Sequence, residues 1–144
     1  MNDKFHASPT TLVDACYDLI TFEPGSEPAW DDFRALFHPQ AVLALRVFPD
    51  DESVTVMDLD SYMIKQMREG MEEEGYTESV LKRSELVFHD IAEVRVVFSM
   101  QFGDTQPYTA IDIFSLVRSG TRWHITSIVS DILSPDEAVP AELG

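Results

Sequence analysis

The sequence predicts an α+β domain: a strongly bent, mostly antiparallel sheet of about six strands, with three helices from the N-terminal half packed in its concave face. Three observations carry this. Apolar residues recur at helical spacing early in the chain, and the period changes to two from Tyr76 onward. The late strands are joined by hairpin-length connections, which makes them antiparallel. Helices cluster early and strands late, which argues against the regular alternation of a parallel α/β sheet.

The elements follow in order. Ser8-Pro9 is a helix start, with Ser at the N-cap and Pro where its missing N–H does no harm. Leu12, Cys16, Leu19 and Ile20 form the apolar stripe behind it, and Pro24-Gly25 ends the helix near Phe22. Glu27-Pro28 opens a shorter helix with Trp30, Phe33, Leu36 and Phe37 as its stripe, Asp31 and Asp32 in the first turn favoured by the helix dipole, and His38-Pro39 as its stop. Gln40–Phe48 reads as a strand and Ser53–Met57 as a short returning one. Asp58 caps a third helix whose Leu59, Met63, Met67 and Met71 stand four apart, and Glu72-Glu73-Glu74-Gly75 ends it as a solvated loop. Four long strands complete the chain, over Thr77–His89, Ala92–Phe102, Tyr108–Arg118 and Thr121–Ile132, the last two joined through Ser119-Gly120. The expected organisation is one domain over residues 1–144, with residues 1–7 and 134–144 as peripheral tails.

Composition narrows the partners. Ten basic against 26 acidic residues leave a formal net charge of −16. Such a chain repels phosphate backbones and anionic lipid, so neither nucleic acid nor membrane is an expected partner. No apolar run reaches bilayer length and no leader pattern is visible, so a cytoplasmic location is expected. A single cysteine excludes an internal disulfide and a cysteine-built zinc site. His6, His38, His89 and His124 lack metal-ligand spacing, and there is no Gly-rich phosphate loop, so no metal or cofactor is expected.

Alternation along the late strands selects the inward side chains. Ala92, Val94, Val96, Phe98, Met100 and Phe102 share one face, which should meet the helices. In the next strand Ala110, Asp112, Phe114 and Leu116 share a face, while Ile111, Ile113 and Val117 make the other face apolar as well. That second face needs cover, and a second copy packed sheet to sheet predicts a homodimer. In the last strand Trp123, Ile125, Ser127, Val129 and Asp131 alternate together, so an inward Trp123 would bring Ser127 and Asp131 inside. A buried Asp112 is costly unless hydrogen-bonded, paired or neutral. An Asp112/Asp131 pair could place one acid and one base in a cavity; alternatively, Asp112 is structural and Asp131 merely ends its strand.

Several stretches in this order resemble the nuclear-transport-factor-2-like superfamily, in its SnoaL-like and ketosteroid-isomerase-like branch. They are Ala29-Trp30-Asp31-Asp32-Phe33-Arg34-Ala35-Leu36-Phe37-His38-Pro39-Gln40-Ala41, then Ile91-Ala92-Glu93-Val94, then the hairpin from Leu116 to Ile128 with its Trp123-x-Ile125. The resemblance implies a cone-shaped half-barrel with a deep pocket, usually a homodimer, and no single reaction, because the fold hosts isomerases, dehydratases, cyclases, epoxide hydrolases and binding modules. The acid, histidine and arginine sets of those enzymes have no matching positions: His38 and Gln40 follow the second helix, and Arg95 alternates away from the inner face.

Three functional expectations follow. The first is a pocket for a small, largely apolar molecule, lined by Tyr17, Tyr62, Met63, Phe98, Met100, Phe114, Trp123 and Ser127, with the tyrosine hydroxyls aimed inward. The second is an isomerase-, dehydratase- or cyclase-type enzyme with Asp112, and Asp131 or a tyrosine, as general acid and base. The third is a non-catalytic dimerisation or adaptor module that meets a basic partner. Cys16, on the first apolar stripe, reads as an inert core thiol.

Overall fold

In a computed structural model, described over residues 3–143, Ser8 caps α1 (Pro9–Ile20) through a reciprocal capping box with Thr11. After it come α2 (Trp30–Ala35), β1 (Phe37–Leu45), β2 (Thr55–Asp58), α3 (Leu59–Gln66) and α4 (Met71–Glu74). The chain then runs through β3 (Tyr76–Phe88), β4 (Ile91–Phe102), β5 (Tyr108–Ser119) and β6 (Arg122–Ile132). The six strands form one curved sheet in the order β2-β1-β6-β5-β4-β3, antiparallel throughout except for the parallel β1–β6 pair. That parallel pair needs no local turn, because the whole of β2 to β5 lies between its two members. α1 lies against β3, β4 and β6, and α3 against β1 and β2. The core fills the space between, with Val94, Val96, Phe98, Ala110, Phe114, Leu116 and Ile125 buried on the inner sheet face and Leu12, Val13, Phe33 and Leu36 facing them.

Four local departures from the sequence reading have physical causes. First, β1 begins at Phe37, through the expected stop at Pro39. The prolyl residue is tolerated because the ladder to β6 skips from Phe37 to Val42 just there, so its missing donor costs no bond. Second, the long third helix is broken. α3 ends at Gln66, and Gly70, at φ 96°, starts α4 over the acidic run, whose Glu72, Glu73 and Glu74 are exposed. Met71 is still buried, so the stripe survives the break. Third, the N-terminal segment, expected as a peripheral tail, is docked on the sheet through His6. Asp3–His6 forms a 3-10 turn, and the buried His6 donates from Nδ1 to the Trp123 carbonyl at 2.8 Å, its ring 4.6 Å from that of His124. Met1, Asn2 and Gly144 lie outside the described residues.

The fourth departure decides the site. β5 and β6 pair in register from Ala110↔Ile132 to Ser115↔Ser127, then shift to Leu116↔Ile125, leaving Thr126 as an extra residue. Its hydroxyl donates to the Ser115 carbonyl. A one-residue bulge reverses which side chains point inward. Trp123 and Ile125 point in as expected, but beyond Thr126 the inward set is Ile128 and Ser130, and Val129 is exposed. Ser127 and Asp131 therefore leave the inner face.

Candidate functional site

The inner end of the cone holds a small cavity of about 40 Å³ between α1, α3 and the sheet. Its apolar wall includes Ile20, Phe33, Leu43, Phe98, Met100 and Ile128. Its polar wall is made by Asp112 and Ser130 from adjacent strands, Glu78 and Tyr76 from the edge strand, Tyr62, Gln66 and Cys16 from the helices, and Arg46, just after β1, which pairs with Asp131. This volume has room for about two or three water molecules.

Asp112 sits on β5 with its carboxylate buried, directly opposite Ser130. The Tyr17 hydroxyl donates to its Oδ2 at 2.6 Å, and the Ser130 hydroxyl is a second partner. Tyr17 is itself held by ring contacts to Phe98 and Phe114, at 5.3 and 5.9 Å. Burial pushes the Asp112 carboxyl up to about 6, against the pull of the two hydroxyls, which favour the ion.

Glu78 is the second acid. The chain leaving α1 builds its position: the N–H of Phe22 donates to the Tyr76 carbonyl at 2.9 Å, the N–H of Tyr76 donates back at 3.0 Å, and the Glu78 N–H donates to Thr21 Oγ1 at 3.0 Å. Gly75 makes the entry possible. It adopts φ 79°, and a Cβ there would lie 2.9 Å from Pro24. Glu78 as a whole is only half-buried on this edge strand, but its carboxyl lies on the cavity wall and accepts from the Tyr76 hydroxyl. Burial, reinforced by the charge on Asp112, pushes it up to about 8, with the Tyr76 hydroxyl acting in the opposite direction. The charge on Asp112 makes Glu78 harder to ionise, so the two acids titrate together rather than independently. An acid that holds its proton and one that gives it up more readily thus line one cavity, the combination from which acid–base chemistry is built.

Gln66 completes the wall. It is 2% exposed, and its Nε2 has no hydrogen-bond partner. A buried amide donor without an acceptor costs about 1–3 kcal/mol, so the cavity calls for a water or a ligand acceptor at that point. Burial raises the hydroxyls of Tyr17, Tyr62 and Tyr76 and the thiol of Cys16 well above their ordinary values. All four stay protonated, and Cys16 is no thiolate nucleophile.

The residues expected to form a site separate into three groups. Asp112, Tyr62, Phe98 and Met100 line the cavity, and Tyr17 reaches it through its hydroxyl on Asp112. Phe114 and Trp123 are buried core and do not line the cavity, Trp123 lying toward the opposite end of β6 from Ser130, and Met63 lines a groove on the other side of α3. Ser127 and Asp131 are on the outer face. Asp131 pairs with Arg46, and although partial burial opposes it, the Arg46 hydrogen bond and charge with the Ile132 N–H hold its carboxyl below its usual value. The Asp112/Asp131 pairing is replaced by Asp112/Glu78. Glu78 and Tyr76 follow from the same alternation that placed Phe98, since Tyr76, Glu78 and Val80 share a face. Ser130 was hidden behind the bulge, and Gln66 carries no sequence signal.

Among the described residues no group of three or more His, Cys, Asp or Glu is placed to hold a metal ion. No helix there is long and apolar enough to cross a membrane.

No family model and no curated protein matches the chain. Solved structures do. A nuclear-transport-factor-2-like protein of unknown function from Pseudomonas putida is similar at 12% identity and a TM-score of 0.68, over 89% of this chain and 86% of that one. A putative calcium/calmodulin-dependent protein kinase type II association domain from Thiobacillus denitrificans is similar at 14% identity and 0.66, over 90% and 98%. A chain of a yeast deubiquitinase and cofactor complex is similar at 10% identity and 0.65, over 89% and 96%. At these identities the likeness shows the fold, and the chain has the nuclear-transport-factor-2-like fold.

Proposed function

We propose that the chain is a small-molecule-binding pocket domain whose ligand places a polar end against Asp112, Glu78 and Gln66 and a largely apolar body against Phe98, Met100 and Ile128. One observation carries the reading: two buried acids, Asp112 and Glu78, line one cavity with Gln66, whose Nε2 has no hydrogen-bond partner. The cavity's present size admits only the polar end, so the body of the ligand enters as Met100, an adaptable side chain, moves aside. Native mass spectrometry of the freshly purified protein tests this. The expected result is a retained small adduct that is lost in Gln66→Leu and reduced in Asp112→Asn. An adduct-free wild type that also shows no melting shift across a library of small carbonyl, hydroxyl and amine compounds would contradict it.

The two resistant acids on one cavity wall support a second reading, in which the pocket is catalytic. Asp112 then removes a proton from the bound molecule and the protonated Glu78 donates one to it, as in an isomerisation or dehydration. Turnover in this reading follows a bell-shaped pH profile set by the pair, and Asp112→Asn lowers it by about 10²–10⁴-fold.

The homodimer expected from the sequence belongs here too. Support comes from the outer sheet face, where Val42, Val56, Ile113 and Val129 are exposed. Several neighbours in fold are described as association domains. The protein's own C-terminal segment takes part of that face. The 3-10 turn Ala141–Leu143 lies against β3 and β4, and Val97 is buried although it alternates outward. The dimer contact is thereby limited to the β2-β1-β6-β5 side.

A further inference from the structure

A second concavity lies on the helical side of the molecule, and neither the pocket nor the sheet-face dimer uses it. It is a groove of about 670 Å³ between α2 and the broken α3–α4 segment. Its floor is apolar: Trp30 and Met67 are half-buried, Met63 lies beneath them, and Ile64 stands 77% exposed on the lip. Ile64 alternates off the inward stripe of α3, so the fold itself gives it nothing to pack against.

The rim is acidic. Glu27, Glu69, Glu72 and Glu73 line it, all exposed and none in an ion pair among the described residues. The two arginines nearby are already engaged. Arg34 pairs with Asp60, while Arg68 pairs with Asp50 at 3.3 Å and lies over the Phe48 ring, 3.6 Å from its centroid. The unpaired charge at the groove is therefore negative. Its walls are helices and the loop between them, with no strand edge to hydrogen-bond an extended peptide. A floor of methionine and aromatic side chains between carboxylates suits an amphipathic helix whose apolar face fills the groove while its Lys and Arg side chains reach the rim.

We propose that this groove docks a basic amphipathic helix supplied by a partner protein. The apolar floor supplies the area, and the four carboxylates select the sign of the partner's charge. Anionic ligands and anionic membrane surfaces are repelled by the same rim.

The test uses the full chain and a fluorescently labelled synthetic helix, with Leu at i, i+3, i+4 and i+7 and Lys on its flanks, read by anisotropy. The control is a scrambled peptide of identical composition, which keeps the charge but has no apolar face. The designed helix is expected to bind saturably and the scrambled one about tenfold more weakly or worse. Ile64→Asp, at an exposed site that leaves the fold intact by circular dichroism, should weaken binding by a similar factor, as should the Glu72→Lys/Glu73→Lys double variant. Equal binding of the two peptides would show that only the overall negative field is felt, and would overturn the proposal. So would unchanged binding in Ile64→Asp, or no binding of the designed helix at low salt.

Discussion

Tyr17 joins packing to chemistry in one side chain. Its ring is wedged between Phe98 and Phe114, and its hydroxyl is spent on Asp112. Tyr17→Phe should keep the ring contacts, cost about 1.5–3 kcal/mol through the lost bond to a charged group, and raise the Asp112 pKa further, since the hydroxyl favours the ion. Chemical denaturation at neutral pH and a carboxyl titration check the two halves. The acid pair itself makes stability depend on pH. Both groups have folded values, about 6 and about 8, above their ordinary values of 3.8 and 4.5. The native state then holds more protons than the unfolded chain across that window, and the contribution is lost as pH rises through it. Glu78→Gln stays neutral at every pH, so its melting temperature should fall less than that of wild type between pH 5 and pH 8. Parallel slopes would show that Glu78 ionises as an ordinary carboxyl.

At the scale of elements, one bulge separates the predicted site from the observed one. The four late strands and their near boundaries were legible because turn residues punctuate them and alternation runs unbroken along β4 and β5. The half of the site on those strands, Phe98, Met100 and Asp112, was legible for the same reason. Alternation in β6 is regular too, but pairing decides phase, and nothing in Thr126-Ser127 announces that one residue will be extruded. Glu78 was readable from β3, yet its worth depends on Asp112 lying two strands away. The bulge yields a paired test. Ser130→Ala should destabilise the fold by about 1–2 kcal/mol by removing an Asp112 partner, while Ser127→Ala on the outer face should fall within about 0.5 kcal/mol of wild type. Urea unfolding of the two variants side by side measures both, and the opposite ranking would mean that β6 pairs in the unbulged register.

For the whole molecule, charge and shape act against each other. A chain of net charge −16 repels its own copies, and the proposed dimer must overcome that with the apolar strip around Ile113 and Val129. Association should therefore tighten as salt screens the repulsion, and Val129→Arg should disrupt it. Sedimentation velocity at low and moderate ionic strength gives the answer, and a monomer at every salt concentration would remove the sheet face from the account. The acid pair, by contrast, lines the cavity and not the outer sheet face, so its behaviour isolates the site from the dimer surface. The most direct measurement is an NMR titration of the side-chain carboxyl carbons, assigned with Glu78→Gln and Asp112→Asn. One carboxyl should remain protonated beyond pH 7 while the other titrates near 6. Two carboxyls that both ionise with midpoints in the ordinary range, below about pH 5, would contradict the buried acid pair and the pocket built on it.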